Sequence, residues 1–120
     1  MNQDTVCTLV PYFDVPADKV DEFKALGKRF VERTRSEPGC VHYAFSFSGC
    51  TAHCREGYDN AEAILHHLEN VGGLLQEALA IAYLIKLEVH APAAEIAKLR
   101  DPLTAMKPQY FVLEEGGIRR

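Results

Sequence analysis

The stretch "CVHYAFSFSGCTAHCREGY", residues 40–58, limits what this chain can fold into more than any other. Its first half alternates. Val41, Tyr43, Phe45 and Phe47 share one side, while Cys40, His42, Ala44 and Ser46 share the other. That period of two belongs to a strand. "SGCT" supplies a turn, and "AHCREGY" over 52–58 reads as a second strand. The segment therefore predicts a β-hairpin. Apolar side chains fall on both faces of 40–47, so both sides of the resulting sheet need cover.

The remaining elements follow from the same kind of reading. Residues 5–15, "TVCTLVPYFDV", are rich in β-branched and aromatic side chains and predict a strand. Pro11 lacks a backbone donor, which predicts an edge position or a bulge. Pro16 can open a helix. Val20, Phe23, Leu26, Phe30 and Val31 then form a helical stripe over 17–36, which "SEPGC" ends. Asp59, with Glu62 three residues on, predicts a capping box for a second helix. That helix carries the stripe Ile64, Leu68, Val71, Leu75 and Leu79, with a bend or break at Gly72 and Gly73. "YLIKLEVH" over 83–90 predicts a strand with Ile85, Leu87 and Val89 on one face and Lys86, Glu88 and His90 on the other. A short helix, "APAAEIAKLRDPL", and a final strand, "QYFVLEE", follow. The order β-α-β-β-α-β, then α-β, predicts one α+β domain over residues 1–120. It is a ferredoxin-like antiparallel sheet with helices on one face and an extra C-terminal helix and strand. The uncovered face predicts a homodimer.

Charge and composition exclude some functions. The net charge of -4 argues against nucleic acid, whose phosphates need a basic face. No apolar run approaches the roughly 18–20 residues of a membrane span. The N-terminus shows no basic-then-apolar signal pattern, so a cytoplasmic location is expected. The four cysteines, Cys7, Cys40, Cys50 and Cys54, are expected to be reduced thiols. There is no glycine-rich phosphate loop, nucleophile elbow or paired zinc spacing, so neither cofactor nor metal is expected. A chain of 120 residues leaves little interior for an enclosed cavity, and a partner chain is expected to help build any site.

Two adjacent histidines interrupt the second helix. His67 lies three residues after Ile64 and four before Val71, at the edge of the apolar stripe, while His66 turns to water. An inward imidazole is either a hydrogen-bonded packing residue or a proton acceptor. Glu56 shares a strand face with Cys54 and Tyr58 and needs a partner if buried, with His67 and His42 as candidates. Tyr12, Tyr43 and Tyr58 offer rings and hydroxyls to a flat substrate, and His42 is a further candidate contact. His42 and His53, with Cys50 and Cys54, are expected to fall on opposite faces and make a poor metal set.

"TRSEPGCVHYAF" followed by "REGYDNAEAILHHL" resembles the antibiotic-biosynthesis monooxygenase family of the dimeric α+β barrel superfamily. Glu37, Pro38, Gly39 and Cys40 match that family's lead-in to the second strand. Glu56 matches its strand glutamate, Tyr58 stands where Trp is common, and Ala63, His67 and Leu68 match its helix pattern. The resemblance spans about residues 5–90 and implies a homodimer. It also implies a small enzyme that oxidises a flat quinol- or anthrone-like aromatic with O2 and without a cofactor. His67 and Glu56 would be catalytic, with Tyr12, Tyr43, Tyr58 and His42 binding substrate. The same superfamily also holds isomerases, lactone-processing enzymes and proteins of unknown role, so a non-catalytic small-molecule-binding or stress-response module is a further alternative. Its haem-degrading branch uses a first-strand Asn and a second-helix Trp. This chain has no Trp and no Asn in that strand, which argues against the haem reading.

Overall fold

The structure is a computed structural model that describes residues 2–120. Its strands are β1 (Asn2–Gln3), β2 (Cys7–Asp14), β3 (Cys40–Ser48), β4 (Thr51–Tyr58), β5 (Tyr83–Ala91), β6 (Gln109–Val112) and β7 (Ile118–Arg119). Its helices are α1 (Val20–Thr34), α2 (Ala61–Asn70), α3 (Gly72–Ile81) and α4 (Ala93–Leu99). The five-stranded sheet runs β3-β4-β2-β5-β6. The first four strands pair antiparallel in the ferredoxin-like order. The fifth, β6, joins parallel to β5 after the α4 crossover. β1 and β7 clip the two ends of the chain together. No helix among the described residues is long and apolar enough to cross a membrane.

Pro11 does not sit at an edge: β2 lies between β4 and β5. Pairing to β4 holds at Leu9–Glu56 and Tyr12–His53 but skips Val10 and Pro11. The missing donor therefore falls in a gap of the ladder, which is how a central strand tolerates proline. The register against β5 shifts just after it, between Tyr12 and Phe13.

The helices cover one face of the sheet. Phe23, Leu26 and Phe30 of α1 pack with Phe13 and Ala52 in one core cluster. Ile64 of α2 packs with Leu9, Val89 and Ile96 in another. The second helix does break at the glycines, with α2 ending at Asn70 and α3 starting at Gly72. The break rephases the stripe. Val71, Leu74 and Ala78 are buried, Leu75 is half-buried against the same core, and Leu79 is exposed. Asn60, not Asp59, caps α2: its side chain accepts the Ala63 N–H at 2.9 Å. Glu62 is free of a capping role and pairs with Lys98 of α4 at 3.1 Å. In β5 the inward set is Leu87, Val89 and Ala91, and Ile85 is 58% exposed. Val41 also points to solvent, because the β3–β4 register shifts between Cys40 and His42.

Candidate functional site

The site lies between the helix layer and the middle of the sheet. The parity of β4 sends Ala52, Cys54, Glu56 and Tyr58 toward the helices. Register places Tyr43 of β3 beside Glu56, and Leu9 of β2 on its other side. α2 lays His67 over this group, while His66 is exposed. The imidazole is 2% exposed, Glu37 5% and Glu56 3%.

A buried imidazole must satisfy both nitrogens. His67 Nδ1 lies 3.0 and 2.9 Å from the two carboxylate oxygens of Glu37. This carboxylate also accepts Asn70 Nδ2–H at 2.8 Å. Glu37 has only acceptors to offer, so Nδ1 carries the proton and the Nε2 lone pair faces the sheet. There it meets Glu56 Oε1 at 3.5 Å. Tyr58 Oη–H donates to the same Oε1 at 2.6 Å. Two carboxyl groups thus hold opposite edges of one ring, in the sequence Glu37, His67, Glu56, Tyr58. Among the described residues, no group of three or more His, Cys, Asp or Glu side chains converges on a common point where a metal could sit.

Burial sets the protonation of this chain of groups. It pushes Glu56 up to about 8, against the opposing hydrogen bonds of Tyr58 and Cys54, and the nearby Glu37 adds to the rise. Burial lowers His67, while its hydrogen bond to Glu37 pulls back in the other direction. Desolvation also drives the Tyr43 and Tyr58 phenols and the Cys54 thiol well above their ordinary values. Near neutral pH the arrangement is a neutral acid, Glu56, beside a neutral base, His67.

These groups border an apolar slot of about 520 Å³ counting its open mouth. Its polar side chains are Tyr43, Cys54, Glu56 and His67. The rest of its wall is aliphatic or aromatic and includes Phe13, Phe30, Val71, Leu75 and Leu87. Met106, from the segment after α4, closes part of it.

The sequence candidates separate across the sheet. His67, Glu56, Tyr43 and Tyr58 gather on the helix side, with the His67 ring 5.1 Å from Tyr43 and 5.2 Å from Tyr58. Tyr12 and His42 lie on the opposite face. Tyr12 pairs with His53 across the strands, their rings 4.7 Å apart. His42 lies over Gly57, where an added Cβ would meet its ring at 2.5 Å. Neither residue reaches the slot, so His67 is the imidazole beside Glu56, and His42 is not. Glu37, which holds the Nδ1 edge of His67, is the residue of this cluster that spacing rules missed. Its only signal was its place in the "EPGC" lead-in.

The pattern of the antibiotic biosynthesis monooxygenase family matches residues 7–72, more than half of the chain. The chain belongs to that family. The family's match takes in Glu37, Glu56 and His67 and stops before α4 and β6. The crystal structure of MupZ from Pseudomonas fluorescens superposes with a TM-score of 0.92 and 45% identity, covering 97% of this chain and 96% of that one. That coverage leaves no room to omit α4 and β6. A crystal structure of an antibiotic biosynthesis monooxygenase matches with a TM-score of 0.63 and 18% identity, over 69% of this chain and 94% of its own, and so shares the fold. A Synechocystis protein, sll1783, is 55% identical over 31 residues, which are 26% of this chain. The match spans only 21% of that curated relative's length. Members of the family are commonly dimeric.

Proposed function

We propose that this member of the antibiotic biosynthesis monooxygenase family oxidises a small, flat hydroxyaryl or anthrone-like compound with O2, using the substrate's own electrons. The observation that carries the reading is the Glu37–His67–Glu56 arrangement at the end of an apolar slot. Nε2 of His67 takes the proton of the bound enol or phenol. The Glu37 carboxylate, already on Nδ1, stabilises the imidazolium that results, as the acid of a catalytic triad does for its histidine. The dry walls strengthen that pairing. The substrate is now an electron-rich anion. It passes one electron to O2, and the radical pair recombines to a peroxide on the ring carbon. The peroxide takes back the proton that His67 had gained. His67 then removes the remaining C–H proton of that carbon while Glu56, held protonated, donates to the departing oxygen, so that the O–O bond breaks with loss of water. The imidazolium returns its proton to Glu56. One oxygen atom ends as a ring carbonyl and the other as water. The CH2-to-C=O oxidation supplies the four electrons that O2 accepts. The working unit is a homodimer, formed through the faces of the sheets that the helices leave bare.

The acid and base side by side also suit a second reading, removal and return of a proton without O2, as in an isomerase or lactone-processing enzyme. Oxygen consumption over a panel of hydroxyaryl compounds separates the two. We expect uptake that His67→Gln lowers by about 10²-fold or more, the range of general-base catalysis. Solvent deuterium entering a substrate with no uptake would favour the second reading. Full-rate uptake by His67→Gln would remove this histidine from either.

A further inference from the structure

Resting on that reading, we infer that the slot selects uncharged compounds that carry their hydrogen-bonding group at one end only. Register fixes the level at which its polar side chains enter, and the Tyr43 hydroxyl reaches on toward Cys54. Tyr43 and Leu9 flank Glu56 at one level of the sheet, and His67 covers the same level from α2. Cys54 stands one inward position further along β4, opposite Phe45. Beyond it the sheet offers Phe13 and Ala52, which pair with each other. The helices there offer Phe23, Val71 and Leu75. The other direction, toward β5, is closed by Leu84, Leu87 and Met106. A hydroxyl beside Glu56 and His67 finds a donor and an acceptor. A second hydroxyl at the far end finds neither, and its lost hydration is not returned.

Charge selects in the same direction. No Lys or Arg lines the slot, whereas Glu37 stands directly behind His67. An anion that enters from water therefore gives up its hydration without gaining a cation. The anion of the proposed reaction avoids this cost, because it forms only as His67 gains the matching positive charge. The slot, about 520 Å³ counting its open mouth, suits a small ring system. The substrate class is thus a flat, neutral compound with one ionisable hydroxyl and a bare apolar remainder, and not a quinol with hydroxyls at both ends.

The test is binding of four probes at pH 7 to the full chain by calorimetry: 1-naphthol, naphthalene, 1,5-dihydroxynaphthalene and 1-naphthoate. We expect 1-naphthol to bind most tightly. 1,5-Dihydroxynaphthalene should bind about tenfold or more weakly, in line with one buried hydroxyl left without a partner. Naphthoate should bind weakest of all. Val71→Thr keeps the volume and places a hydroxyl in the apolar end, and it should narrow the gap between naphthol and its dihydroxy relative. Dihydroxynaphthalene or naphthoate binding as tightly as 1-naphthol would overturn the inference, and so would failure of 1-naphthol to bind. The expected order of affinities, with no oxygen uptake from any hydroxyaryl compound, would sink the oxygenase reading and leave this selection standing.

Discussion

His67 has a carboxyl group on each edge, and the two are not equivalent. Glu37 is held by Asn70 and touches Nδ1, while Glu56 is held by Tyr58 and faces Nε2. Removing the charge of Glu37 should lower His67 further, because that partner is what raises it against burial. Imidazole titration by NMR on Glu37→Gln checks this, and an unmoved midpoint would deny Glu37 its orienting role. Glu56 has a second consequence, for stability. Its carboxyl is raised from an ordinary 4.5 to about 8. Across that window the folded form keeps a proton that the unfolded form has lost, so this contribution is full below pH 4.5 and disappears toward pH 8. His67 is lowered from 6.5, so its contribution is full above that pH and is lost below it. The two slopes oppose one another between 4.5 and 6.5, and above 6.5 only that of Glu56 remains. Stability should therefore fall from pH 6.5 to 8 by about 1–2 kcal/mol, at roughly 1.4 kcal/mol per pH unit for one proton. Urea melts should show the fall in the wild type and its absence in Glu56→Gln. An equal fall in both would place the titration on another group.

At the scale of elements, the turn before β3 and the first half of α2 act as one part. Gly39 lies so close to α2 that a Cβ there would sit 2.6 Å from the Ala63 Cβ. That approach sets Glu37, two residues earlier, under His67. Gly39→Ala has to push the turn off the helix, at a cost of about 1–3 kcal/mol, as for overpacking elsewhere. It should also disturb the His67 titration, whereas Asn60→Ala should cost about 1 kcal/mol through the lost cap and leave that titration in place. Thermal melts and NMR on the two variants separate stability from site geometry. This coupling also explains what the sequence could show. The period-two and helical patterns located the hairpin, α1 and α2, and the phase of α2 alone turned His67 inward. Glu37 is outside any periodic segment and 30 residues from its partner, so no spacing rule joins them. Tyr43 and His42 are adjacent on one strand, and parity alone separates them. Placing Tyr12 opposite the site needed the register of β2 against β4, which a proline-containing strand does not disclose.

On the scale of the molecule, the sheet has a helix layer on one side and none on the other. The bare side carries the ring pair Tyr12–His53 and, toward the far edge, His90 stacked on Phe111 at 4.6 Å and 11°. Phe111 is among the exposed large hydrophobics. Two-layer folds bury such a face against another layer, and a second copy supplies one by symmetry. The family's common dimeric state agrees with this. An obligate interface of this kind buries on the order of 2,000 Å². Sedimentation should therefore give a species of about twice 13.4 kDa at micromolar concentration. Phe111→Asp places a charge within that contact and should shift the protein toward monomer. The slot lies on the other side of the sheet, between it and the helices. The monomeric variant should thus keep its affinity for 1-naphthol within about twofold, a change of well under 1 kcal/mol. If dissociation abolishes binding, the partner must shape the slot through the sheet, and the wall of a single chain is not enough. If Phe111→Asp remains a dimer of unchanged stability, the contact between copies lies elsewhere, and the bare face is left to another partner.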